Sequence, residues 1–224
     1  MSYVFQFGTV WREFDQLLLG AWLTVRLSTI AMVLGLVVGV AGAQAKASRF
    51  RLLRGLVQAY IEAIRNTPFL VQLLLIYLGL PSLGVRLTPD QAALLAMVVN
   101  LGAYATEIVR AGIEAVPRGQ VEAGRALGLK PWHIFRFVVL IPALRAVFPA
   151  LGSQFILVML ASSVVSVISA EELTAVADTI VARNFRSFEF YLTITGMYLA
   201  LSLAFQGTFA AIDRALFRRW SKHT

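Results

Sequence analysis

The 224-residue chain contains no cysteine, so it offers no disulfide framework and no thiolate ligand for a metal. Charge is scarce as well. Only 14% of residues are Asp, Glu, Lys or Arg against 58% hydrophobic, and mean hydropathy is +0.75. Soluble domains carry about a quarter charged residues. The two histidines, His133 and His223, lie outside every long apolar run. Neither a Ser-His nucleophile nor a His-ligated metal can therefore be assembled inside one. No G-x-x-x-x-G-K-S/T stretch occurs, so the chain has no phosphate loop of that kind. The first apolar run follows Glu13 and Asp15 and lacks a clear cleavage site, which argues against a removable signal peptide.

What the chain has is long apolar stretches, at 17–43, 56–80, 92–111, 146–169 and 190–211. Each reaches the roughly 20 residues needed to cross hydrocarbon. The pattern predicts an all-α integral membrane protein, a single transmembrane domain over residues 1–224. A net charge of +8 would suggest nucleic acid in a soluble protein. Here the bases collect in connectors on one side, which predicts membrane lipid as the surroundings and no nucleic-acid partner. Lys46, Arg49, Arg51 and Arg54 follow the first span, and Arg214, Arg218, Arg219 and Lys222 follow the last. Both clusters place their connectors inside, with the amino terminus outside and the carboxyl terminus cytoplasmic. Arg26, within the first turns of its span, is read as snorkelling to the interface.

Polar residues inside the spans fall into two groups. Glu62 and Arg65 on the second span, and Glu107 and Arg110 on the third, repeat an i, i+3 acid–base spacing. Ion pairs bracing the two spans are the preferred reading; a gate is the alternative. Gln72, Asn100, Ser162, Ser163 and Ser166 fall at middle depth on three spans. Hydroxyls in a span commonly bond back to their own helix, so packing is the default for the serines. Polar groups converging near the midplane are also what a passage for a polar solute requires. Pro68 is expected to kink the second span, because its ring removes a backbone donor.

Between the third and fourth apolar runs lies a basic insert, about 112–145. Small residues Ala123, Gly124 and Ala126 would let another surface approach Glu122–Leu127 closely. Gly128 can take positive φ and end a helix, and Pro131 suits the first turn of a second one. Ile134, Phe135, Val138 and Val139 give that second helix an apolar face. It is expected to end near Pro142. The whole suggests a docking device for another protein.

This insert resembles the EAA loop of ABC importer permeases, carried here by Glu122-Ala123-Gly124 and Gly128. The run EAGRALGLKPWHIFRFVVL is similar to the polar-amino-acid branch of that family, the histidine, glutamine and arginine type. GAWLTVRLSTIAMVLGLVVG, EAIRNTPFLVQLLLIYLGLP and AEELTAVADTIVARNFRSFEFY resemble further family segments in the family's order, so the likeness covers nearly the whole chain. It implies the five-helix core of a type I importer permease in a bacterial inner membrane, with a coupling helix in the loop. Glu122, Ala123, Gly124, Gly128 and Pro142 would then couple to two separate ATPase subunits, which carry ATP and Mg; this chain would hold no cofactor and be no enzyme itself. A second permease chain, identical or paralogous, and an extracytoplasmic solute-binding protein are implied too. The cargo implied is a polar amino acid, moved by alternating access. Gly124 stands where relatives usually carry Ala, and Pro142 falls one place later than the common pattern. Ala161 stands where relatives often carry an acid, which argues for a neutral or acidic amino acid. The alternatives are an ATP-independent carrier or channel, and ABC import of another small polar solute. In the segment Glu171–Glu189 a binding-protein contact and a solvated connector stand level.

Overall fold

The computed structural model describes residues 4–217. The expected inside bases Arg218, Arg219 and Lys222, with His223, lie outside the described residues. Ten α-helices and no strand are found among the described residues. After the single turn α1 (Gly8–Arg12), the longest element, α2 (Phe14–Lys46), spans about 50 Å at 1.5 Å per residue. Its buried face is a stripe of small residues, Gly20, Thr24, Ser28, Ala31, Gly35, Gly39 and Ala43, spaced three or four apart. Small side chains let two backbones approach closely where burial of apolar surface drives nothing. The stripe packs against α5 (Pro89–Glu114), where a Cβ on Gly39 would come within 2.4 Å of the Ala105 Cβ.

α5 starts on a capping box: Gln91 N–H donates to the Thr88 hydroxyl, and the Thr88 N–H donates to the Gln91 side chain. Pro89 fills the first turn, where a missing N–H costs little. The mostly Ala, Leu, Met and Val interior of α5 anchors the main core with Leu73, Val147, Leu151, Phe155 and Met159. A second cluster joins Leu17 of α2 to α9 (Leu173–Asn184) and to Phe190 and Ile194 of α10 (Ser187–Phe217).

Two expectations change. The second span, expected over 56–80, is broken. α3 (Arg51–Arg65) and the run from α4 (Phe69–Leu74) to Leu83 meet at a bend of 113°. Pro68 donates no hydrogen bond, and the residue before a proline is pushed towards extended backbone. The carbonyls so released are met by side chains: Thr67 Oγ1 donates to Ala63 O at 2.8 Å and Gln72 Nε2 to Ile64 O at 2.7 Å, while Asn66 Nδ2 adds a second bond to Glu62 O at 2.8 Å. α4 then widens into a π-helical turn (Leu75–Gly79) and tightens into a 3₁₀ turn (Leu80–Leu83).

The second correction concerns Pro142. The helix starting at α7 (Pro131–His133) does not end there. It passes through a π-helical turn (Ile134–Val139) into α8 (Leu140–Ala161) and a 3₁₀ turn (Ser162–Ile168), one apolar rod of 38 residues. Pro142 sits just past the widened turn, where a ring without an N–H is accommodated. Among the described residues, four helices are long and apolar enough to cross a membrane, or five if the bent pair is one span.

Candidate functional site: an exposed elbow and a polar cavity

The elbow is built on α6 (Arg118–Ala126). Leu127 closes the helix and Gly128 takes φ +72°. Gly128 N–H donates to Arg125 O at 2.9 Å, and Leu129 N–H donates to Gly124 O at 3.1 Å. That pair of bonds is the Schellman closure, and it needs a residue comfortable at positive φ. The chain is thereby turned into α7.

Gly124 behaves differently from the sequence expectation. It is buried, and its α-carbon faces Ile134, whose Cγ1 would lie 3.2 Å from an added Cβ. Its small size serves the fold of the elbow on itself rather than an approaching surface. Glu122 and Ala123 are exposed, as are Leu127 (79%) and Trp132 (62%). Trp132 and Phe135 put their rings 6.1 Å apart, and Phe135 and Phe137 are both exposed. Arg118, Arg125 and Lys130 flank this exposed apolar patch, which makes it a candidate interaction surface. Leu127 and Trp132 were not singled out as contact residues from sequence.

The second feature is a cavity of about 310 Å³ between the bent second span, α5 and α8, lined by Thr67, Asn100, Tyr104, Gln154, Leu157 and Ala161 among others. Of the expected pathway residues only Asn100 lines it. Gln72 stands behind Asn100 and accepts from its Nδ2 at 2.9 Å. Gln72 Nε2 donates to Ile64 O at 2.7 Å, Thr67 O at 3.0 Å and Thr67 Oγ1 at 3.0 Å. The serines do not face the cavity's lining. Ser162 Oγ donates to Met159 O, Ser163 Oγ to Leu160 O and Ser166 Oγ to Ser163 O, each within its own helix. That is the local bonding expected of hydroxyls in a span. Thr67, Tyr104 and Gln154 were missed. Gln154 carries the same signal as Asn100, an amide in an apolar run, whereas an aromatic such as Tyr104 reads as packing.

The charged pairs also rearrange. Glu62 and Arg65 do not pair. Glu62 accepts from Gln58 Nε2 at 2.6 Å, and the Arg65 guanidinium lies over the Tyr104 ring at 5.4 Å. Arg65 thus does brace the second span to the third, but through an aromatic face. Glu107 accepts from Lys46 at 2.7 Å and Arg110 at 3.0 Å, and Arg110 continues to Glu114 at 2.5 Å. The chain of charges ties the third span to the first rather than to the second.

The segment after α8 is more than a solvated connector, because Glu172 and Glu189 are both fully buried. Glu172 caps α9 by accepting from Ala175 N–H at 2.7 Å, and also accepts from the Tyr198 hydroxyl of α10. Thr24 of α2 accepts from Leu173 N–H at 3.0 Å. Burial raises the Glu172 carboxyl above the ordinary carboxylate range, although the Tyr198 and backbone bonds oppose it. Among the described residues, no three of His, Asp and Glu are grouped to hold a metal ion.

Residues 31–218 match the family described as binding-protein-dependent transport system inner membrane component. The chain is 33% identical over 214 residues to the glutamine transport system permease protein GlnP of Escherichia coli, covering 95% of this chain and 98% of that one. It is 38% identical over 165 residues to the L-cystine transport system permease protein TcyB of Bacillus subtilis, covering 74% of this chain and 70% of that one. A solved structure, described as an amino acid ABC transporter with histidines, superimposes with a TM-score of 0.89 at 36% identity, covering 95% of this chain and 100% of that one. The all-helical fold, the bent span and the elbow are therefore those of a multi-pass transport permease, and the chain belongs to the binding-protein-dependent transport system inner membrane components.

Proposed function

We propose that the chain is the membrane-spanning half of an ATP-driven importer for a polar amino acid. The observation that carries this is the elbow: a short helix, closed by Gly128, that leaves Glu122, Ala123 and Leu127 exposed between two apolar helices, with Trp132 exposed at the start of the second. A side chain such as Leu127 gains nothing by standing in water, and an ATPase cleft would cover it. In this reading two ATPase subunits, carrying ATP and Mg, seize two elbows, one on each of two permease chains. This chain performs no hydrolysis itself. Because α7 and α8 form one rod, the motion passes directly from elbow to midplane, where rocking of the two halves opens the cavity alternately to each side. The bases after α2 and α10 support an elbow in the cytoplasm and an amino terminus outside, where a solute-binding protein would deliver cargo.

The cavity supports an uncharged cargo side chain. Its polar lining is Thr67, Asn100, Tyr104 and Gln154, and Ala161 supplies no carboxylate. Charge in such a place is costly unless paired. The similar permeases for glutamine and for L-cystine agree with a polar amino acid of this class. The test is reconstitution of the permease with its ATPase and binding protein in proteoliposomes. ATP-dependent uptake of glutamine is expected; uptake that persists without ATP would refute the reading.

A further inference from the structure

Amide side chains leave the placement of nitrogen and oxygen to the hydrogen-bond network around them. Here the network decides. One end of Gln72 faces Ile64 O, Thr67 O and Thr67 Oγ1 at 2.7, 3.0 and 3.0 Å. Two of these are carbonyls and can only accept. The Thr67 hydroxyl already donates to Ala63 O at 2.8 Å, so it too accepts from Gln72. That end of Gln72 is therefore nitrogen, and the end turned to Asn100 is oxygen. An oxygen there requires the facing atom of Asn100, 2.9 Å away, to be Nδ2. Asn100 Oδ1 is the remaining end. Among the described residues it receives no donor, and Asn100 lines the cavity.

We propose that Gln72 is a positioning residue that fixes Asn100 as a hydrogen-bond acceptor for an N–H donor of the transported substrate. This deepens the amino-acid-import reading and rests on it. The polarity originates in the break of the second span. Pro68 and the 113° bend release the Ile64 carbonyl, that carbonyl helps orient Gln72, and Gln72 orients Asn100. The same amide thus joins two jobs: it fastens the bend and fixes the donor–acceptor sense of a group at the cavity wall. A substrate nitrogen, whether amide or ammonium, meets an oxygen already turned to receive it. A carboxylate in the same place meets a like acceptor.

The test uses the assembled permease–ATPase complex in detergent or nanodiscs without binding protein, with free glutamine as the probe and ATP hydrolysis as the readout. Asn100→Leu and Gln72→Met are measured singly and together. Each single variant is expected to raise the half-saturating glutamine concentration about tenfold, the loss of one net hydrogen bond. The maximal stimulated rate should change much less. The double variant should match Asn100→Leu, because Gln72 acts through Asn100. Single effects that multiply in the double variant would show that Gln72 acts only through the bend, and would overturn the proposal. An unchanged half-saturation in Asn100→Leu would overturn it as well, even if Gln72→Met failed to assemble. A wild-type complex stimulated by another small polar solute but by no amino acid would instead refute the cargo reading beneath it.

Discussion

Gly128 gives the sharpest quantitative handle on the elbow. Its φ is +72°, and a Cβ there would meet nothing within 4 Å. Any cost of Gly128→Ala is therefore local to its own backbone, free of clashes with the rest of the fold. An L-residue in left-handed backbone loses about 1–2 kcal/mol, and reduced freedom of the unfolded chain returns about 0.4–1 kcal/mol. The net is about 1 kcal/mol, roughly a fivefold shift in the opening equilibrium of the Schellman closure. Two amides report it, Gly128 N–H bonded to Arg125 O and Leu129 N–H bonded to Gly124 O. Hydrogen exchange of residue 128 and Leu129 in Gly128→Ala should accelerate about fivefold while α2 and α5 exchange as before. Gly128→Asn, which tolerates this backbone better, should fall between glycine and alanine, and Gly128→Val should be worst. Stimulated ATP hydrolysis in the assembled complex should fall in the same order. Wild-type exchange in Gly128→Val, or Asn worse than Val, would refute the reasoning.

Further expectations concern the spans and the outer knot. Gly39→Ala puts a Cβ 2.4 Å from the Ala105 Cβ and 3.0 Å from its backbone, so α2 and α5 must part; a loss of about 1–3 kcal/mol in denaturant unfolding is expected. Glu107→Gln removes the carboxylate shared by Lys46 and Arg110, yet all three side chains keep some solvent, so thermal stability should drop by no more than about 1 kcal/mol. Glu172 has its folded pKa raised by burial, so the folded protein binds the proton more tightly than the unfolded chain. Its contribution is fullest at low pH and declines as pH climbs from the usual carboxylate value towards the elevated one. Glu172→Gln, which keeps the acceptor for Ala175 N–H and Tyr198, should remove that decline in thermal melts, whereas Glu172→Ala should destabilise at every pH.

The helical class and the elbow were legible because they are written in local signals. Apolar length marks the long helices, and Gly128 followed by Pro131 marks an end and a start. The break at Thr67–Pro68 was visible only as a kink. Its size depends on Gln72 and Thr67 taking over the released carbonyls, which is a three-dimensional arrangement. Gly124 was assigned to a docking surface because smallness says nothing about direction; only its placement over Ile134 shows that it faces inward. Pairing Glu62 with Arg65 relied on spacing, which permits a contact but does not choose it over Gln58 or Tyr104. The serines and Asn100 share a depth along their spans, yet only Asn100 lines the cavity. Depth along a span is readable from sequence, but the face a side chain presents is set by the neighbouring helices. Glu172 reads as a surface acid in any local window, and its burial comes from α2 and α10, distant in sequence.

The central claim is that the elbow is covered by an ATPase chain. Because the protein has no cysteine, single-cysteine reporters are unambiguous. Leu127→Cys, at a position 79% exposed, and Glu122→Cys would be treated with a water-soluble maleimide in the permease alone and after assembly with the ATPase. Rapid labelling alone and strong protection in the complex, with a Gly8→Cys control on α1 unaffected, is the outcome expected. Equal labelling of both elbow positions in the two states would contradict the account.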